Sequence, residues 1–231
     1  MAAIATPSSN MLTGNAKRIA SCKLVGGAKK RGGHALEHLH DSFVGIPSTI
    51  TSTKPEADCH ISPENPAGLT LLGELAAKFG EPALQYCSIK SGNNLQFVLG
   101  NIPEITGAEG GDAKLAVMRD PALWNKYLAK STSARPAELL VYHDKANDTW
   151  TYFKMASVVD FIVSAAIWRF LPETGRIKGD FNDGSGKGFS QYLTYEYRST
   201  HKSHFLGANG GKGMKFITLL KANLPFIEKK Y

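Results

Sequence analysis

Leu84-Gln85-Tyr86-Cys87-Ser88-Ile89-Lys90-Ser91-Gly92 alternates apolar and polar residues, is rich in strand formers, and breaks at Ser91-Gly92. A strand that ends on Lys90 places an ammonium at the rim of a sheet, within reach of a substrate. Upstream, Asp58 stands in Pro55-Glu56-Ala57-Asp58-Cys59-His60-Ile61, a second short segment that reads as strand. Further back, Glu37 stands in a helical run. Carboxylates hold a divalent cation such as Mg²⁺, and a lysine beside them orients an attacking water and offsets charge on the phosphorane. Asp58 with Ser88-x-Lys90 therefore forms a candidate site for metal-dependent phosphodiester hydrolysis, with a polar residue two before the lysine.

Asp58 followed by Ser88-Ile89-Lys90 resembles the core motif of the PD-(D/E)xK nucleases. One branch, restriction enzymes that cut around a CCGG core, has Ser-x-Lys here. It takes the missing acid from a glutamate about fourteen residues beyond the lysine, and Glu104 stands fourteen residues after Lys90. Those enzymes also carry a glutamate on an early helix, the place of Glu37. A second group, small four-base cutters, has an uncharged residue before the lysine and no displaced acid.

The resemblance implies an α/β, restriction-endonuclease-like fold, a mixed central sheet flanked by helices, with the site where two strands splay. It implies Mg²⁺-dependent, sequence-specific hydrolysis of double-stranded DNA. Asp58 and Glu104 would be the metal ligands, Ser88 the replacement for the usual acid, and Lys90 the residue that orients the water. Glu37 would support a second metal or Lys90. A palindromic target would imply a homodimer.

The net charge of +7 is unevenly distributed. Residues 1–31 carry six Lys/Arg and no acid, and residues 176–231 carry ten Lys/Arg against four acids. The middle has eleven basic and sixteen acidic residues. Two basic ends around an acidic centre suit a protein that grips a polyanion and holds a metal between. A non-catalytic, basic nucleic-acid-binding protein would need the same charge without the carboxylates. Three widely spaced cysteines, Cys22, Cys59 and Cys87, make neither a disulfide framework nor a zinc motif, which points to a reducing, intracellular compartment. No secretory signal opens the chain, although the acid-free, Ser-containing start could pass for a transit peptide.

The order of elements follows from local pattern. Residues 1–30 read as a basic, poorly ordered segment and 31–231 as one domain, with a helix over 34–44 in which Leu36, Leu39 and Phe43 share a stripe. Residues 67–79 read as a helix stopped by Gly80. Residues 113–130 are helical in pattern despite Pro121. Glu138–His143 and Thr149–Lys154 read as two strands around a turn, leading into an apolar helix over 156–171 that Pro172 closes. Residues 179–188 read as a loop, 190–198 as a strand, and 215–220 as a final strand or helix.

Three further motifs invite a functional reading. His34-Ala35-Leu36-Glu37-His38 is H-x-x-E-H, the pattern of inverted zinc peptidases, but only 33 mostly polar residues precede it. A histidine-rich helix surface is the simpler account. Gly184-Ser185-Gly186-Lys187-Gly188 lacks the spacing and the Ser/Thr of a nucleotide-triphosphate loop, though Lys187 could touch a phosphate backbone. Arg198, Thr200, His201, Lys202, Asn209 and Lys212 cluster after an aromatic strand and around a glycine loop. Arg198 suits a guanine edge, Asn209 an adenine edge, and Thr200, Ser203, Lys202 and Lys212 phosphates.

Overall fold

The computed structural model describes residues 28–45, 58–82, 84–93, 95–100, 102–133, 137–182, 190–198, 203–208 and 210–231. The helix expected over 34–44 begins earlier, and α1 spans Ala28–Val44. It is followed by β1 (Cys59–His60), α2 (Pro66–Phe79), β2 (Tyr86–Ser91) and β3 (Leu95–Leu99). Three helices come next: α3 (Ile102–Thr106), α4 (Gly110–Arg119) and α5 (Pro121–Ser133). The hairpin β4 (Leu139–Asp144) and β5 (Thr149–Lys154) leads into α6 (Met155–Ala165). The remainder is β6 (Ile167–Leu171), β7 (Arg176–Phe181), β8 (Ser190–Arg198), β9 (Ser203–Ala208), α7 (Lys212–Asn223) and β10 (Ile227–Lys229). No helix among the described residues is long and apolar enough to cross a membrane.

The protein is mixed α/β, but it has two sheets where the sequence reading expects one. The first runs β1-β2-β4-β5-β10 and the second β3-β9-β8-β7-β6. In the first sheet β2 and β4 are parallel, and the other pairs are antiparallel. A parallel pair needs a long crossover, and here the crossover carries β3 into the second sheet together with α3, α4 and α5.

β4 is apolar on both faces because both are covered. Leu139 and Val141 join one core with Cys87, Ile89 and the α1 and α2 leucines. Leu140 and Tyr142 join the other, with Trp124, Phe181, Leu193 and Phe216 from the second sheet and its helices. Alternation then fixes the faces of β2: Cys87 and Ile89 share the α1/α2 side, and Ser88 and Lys90 face the other.

Local chemistry sets the helix ends. Asn65 Oδ1 accepts from the amides of Ala67 and Gly68, at 2.9 and 3.3 Å, with Pro66 at the first turn. Gly80, at φ 71°, closes α2 in the left-handed region. A Cβ on Gly68 would lie 2.3 Å from the Ser62 carbonyl oxygen and 2.4 Å from that of Val44, so glycine is what lets α2 sit against the end of α1.

The single helix expected over 113–130 is two. Pro121 lacks an amide hydrogen and holds Asp120 extended, at φ −98° and ψ 113°. The Asp120 carboxylate then caps α5 through the amides of Ala122 and Leu123.

The helix expected over 156–171 ends at Ala165, and Ile167–Leu171 is a strand paired with β7. Pro172–Gly175 makes the hairpin turn rather than a helix stop. β7 also claims residues 179–181 of the expected loop, and 215–220 lie in helix α7.

Candidate active site

β1 pairs with the first half of β2, Cys59 opposite Cys87 and His60 opposite Tyr86. Asp58 continues the pairing in another form. Its amide donates to the Cys87 carbonyl at 2.9 Å, and its Oδ2 accepts the Ile89 amide at 2.7 Å. Lys90 Nζ donates to the Ile89 carbonyl at 3.2 Å. Side chains thus take over the ladder position that a longer β1 would fill, and the backbone polar groups of Ile89 are satisfied where the strands part.

Three donors converge on Asp58 Oδ2: the Ile89 amide, the Ser88 hydroxyl at 3.2 Å and the Lys90 ammonium at 3.3 Å. Lys90 Nζ also donates to Ser88 Oγ at 2.8 Å. Asp58 Oδ1 takes no hydrogen bond among the described residues. The Lys90 and Asp58 side chains are 20% and 35% exposed, so the group is open to solvent. Sequence spacing brings these residues together: Ser88 and Lys90 project from one face of β2, and Asp58 reaches the same face from β1.

The turn after Lys90 is held from two sides. Tyr142 donates its hydroxyl to the Gly92 carbonyl at 3.2 Å. The Gly213 amide, in the first turn of α7, donates to the Asn93 carbonyl at 3.0 Å. A Cβ on Gly213 would come within 2.8 Å of the Asn93 backbone, so the helix start is seated directly on the turn. Lys212, at the first position of α7, is thereby carried to the same rim as Lys90.

The two more distant carboxylates are placed differently. Glu104 lies on α3, exposed, at the far end of β3 from the Lys90 turn. Its charge acts on His204, whose strand position faces Leu99. β3 itself covers roughly 13 Å at about 3.3 Å per residue. Glu104 is therefore grouped with His204 rather than with Asp58. Glu37 lies on α1, which packs on the opposite face of the sheet, and its carbonyl accepts the Cys59 thiol at 3.3 Å. His34 and His38 share that helix.

Of the expected nucleic-acid contacts, Arg198 ends β8, and Lys187, Thr200, His201, Lys202 and Asn209 lie outside the described residues. A cavity of about 300 Å³ lies at the other end of β2, lined by Glu81, Leu84, Glu138, Lys154, Val159 and Asp160. There the Glu138 carboxylate accepts the Gln85 and Tyr86 amides. This concavity is not where the lysine and aspartate meet. The Lys90 and Asp58 side chains sit on an open rim instead.

Sequence reasoning missed a contact farther along the same face of β1 and β2. His60 Nε2 meets Gln85 Oε1 at 2.9 Å, and the His60 and Tyr86 rings are 5.2 Å apart. Tyr86 is 44% exposed. The alternation that groups Ser88 with Lys90 also puts Tyr86 on that face, and His60 beside Asp58. No protein-family model matches the chain, and neither a curated protein nor a solved structure matches it.

Proposed function

We propose that the chain is a Mg²⁺-dependent endonuclease acting on double-stranded DNA, in the manner of the restriction enzymes its motif resembles. The observation that carries the proposal is the convergence of Asp58, Ser88 and Lys90 at the point where β1 and β2 part. The donors there are a carboxylate with one oxygen open, a hydroxyl and the Ile89 carbonyl. All are hard oxygen ligands of the kind Mg²⁺ accepts while keeping several waters. When bound, the ion supplies charge for a developing phosphorane and lowers the pKa of water.

The chain's own residues have separate tasks in this reading. Asp58 fixes the cation through its open oxygen while its other oxygen stays tied to β2. Lys90, held by Ser88 and the Ile89 carbonyl, presents a positive charge where the phosphate arrives and orients the attacking water. The ion pair with Asp58 keeps the ammonium in place before substrate binds. Lys212 and the N-terminus of α7 offer a further phosphate contact on the same rim. Ser88 serves as the uncharged residue before the lysine, so Glu104 has no part in the chemistry. A palindromic target would be cut by a homodimer, one site to each strand.

Incubation of a defined supercoiled plasmid with Mg²⁺ tests the proposal. Discrete linear products are expected. Salt-sensitive DNA binding with no cleavage in Mg²⁺ or Mn²⁺ would favour a non-catalytic nucleic-acid-binding protein instead.

A further inference from the structure

On the other side of β1 lies a buried trio that phosphodiester chemistry does not use. His40, Asp41 and Cys59 are 0%, 2% and 5% exposed. One ligand atom from each lies within 4.8 Å of the other two. His40 Nδ1 and Asp41 Oδ1 are 3.9 Å apart, and neither has a hydrogen-bond partner among the described residues. Buried polar atoms are rarely left so, and a buried carboxylate is costly without a compensating charge.

Among the described residues, His40 is the only group within ion-pair range of Asp41. Asp41 stands in the last turn of α1, where the helix carbonyls are already negative and no basic side chain answers them.

The surroundings are arranged for a ligand rather than for a partner side chain. His40 Nε2 is bonded to the Tyr152 hydroxyl at 3.1 Å, and that hydroxyl meets Tyr231 at 2.9 Å. One ring nitrogen is thus anchored and the other left toward Asp41, the division found in metal-binding histidines. A Cβ on Gly45 would stand 2.7 Å from Asp41 Oδ1, so glycine preserves the space beside that oxygen.

We propose that His40 Nδ1, the Asp41 carboxylate and Cys59 Sγ form a structural site for a thiophilic divalent cation, zinc by preference, which pins β1 to α1. Nitrogen and sulfur donors select zinc over Mg²⁺. Binding releases the Cys59 thiol proton to solvent, and the resulting thiolate and carboxylate together balance the two positive charges of the ion. Because Cys59 follows Asp58 directly, the ion would set the position of the rim carboxylate from the far face of the sheet.

The test is metal content and cobalt spectroscopy on the full chain, prepared without a histidine tag, and it does not depend on DNA cleavage. Near-equimolar zinc is expected. Exchange with Co²⁺ should give a thiolate-to-cobalt charge-transfer band, lost in Cys59→Ser and retained in Asp58→Asn. The oxygen ligands of the rim give no such band. Chelation should lower the Tm, with recovery on adding Zn²⁺ but not Mg²⁺. A folded, metal-free wild-type protein that develops no band on Co²⁺ titration would overturn the proposal, as would a band that persists in Cys59→Ser.

Discussion

Lys90 Nζ and Asp58 Oδ2 stand 3.3 Å apart, and both also bond to the Ser88 hydroxyl. The serine lies between a cation and an anion and contacts each, so it organises the pair without adding charge. A second carboxylate at position 88 would change the charge of the rim and compete for the ammonium.

Asp58→Asn should abolish cleavage in Mg²⁺ while leaving the fold intact. An amide oxygen still accepts the Ile89 hydrogen bond but does not balance the ion's charge. Asp58→Ala leaves that amide without its acceptor and should cost about 1–2 kcal/mol of stability as well. Urea denaturation of the two variants separates the effects.

Glu104→Ala should cut at a rate within about 3-fold of wild type, because a loss of catalysis needs a group that stabilises the transition state more than the ground state. Glu104 is placed beside His204, across β3 from the rim. A loss as deep as that of Asp58→Asn would return Glu104 to the metal site.

This pair of residues shows what the sequence makes legible. Ser88 and Lys90 are two apart on a strand, so their common face follows from strand geometry alone. Asp58 needed only the pairing of two short segments. Glu104 needed the direction of β3, and a spacing of fourteen residues does not reveal whether the chain returns to the site or leaves it. β3 leaves for the second sheet.

The same limit hid β6, because Met155–Leu171 is one apolar run whose period changes at Ala166. It also hid the zinc candidate. His40 and Asp41 are adjacent on a helix, while Cys59 comes from the strand packed under it, and no local spacing links them.

Gly68→Ala should destabilise the fold by about 2–3 kcal/mol, since both obstructing atoms are backbone carbonyl oxygens, of Ser62 and Val44, that do not give way. Gly73→Ala, in the same helix with open space at its Cβ, should stabilise by about 0.5–1 kcal/mol. Chemical denaturation of both variants checks the docking of α2 on the end of α1.

His204 predicts a pH dependence of stability. Burial, with a smaller push from Lys114, lowers its pKa, and its Nδ1 meets the Tyr195 hydroxyl at 2.6 Å. The unfolded chain takes up a proton near the ordinary histidine value, and the folded protein takes it up only at lower pH. Its contribution to stability is thus present above pH 6.5 and is lost as pH falls through the folded pKa. His204→Gln should flatten that part of the stability profile between pH 7 and 5, measured by Tm.

Lys212→Ala should weaken DNA binding across sequences and reduce the slope of log Kd against log salt by about one. It should leave the cleavage position unchanged. A change in the site cut would make Lys212 a base reader.

The most direct test of the central claim is Lys90→Ala, assayed in parallel for plasmid cleavage in Mg²⁺ and for DNA affinity by fluorescence anisotropy. Lys90 acts on the transition state while other cations hold the phosphates, so cleavage should fall at least about 1,000-fold with Kd within a few-fold of wild type. A folded Lys90→Ala protein that cuts DNA at the wild-type rate would contradict the account.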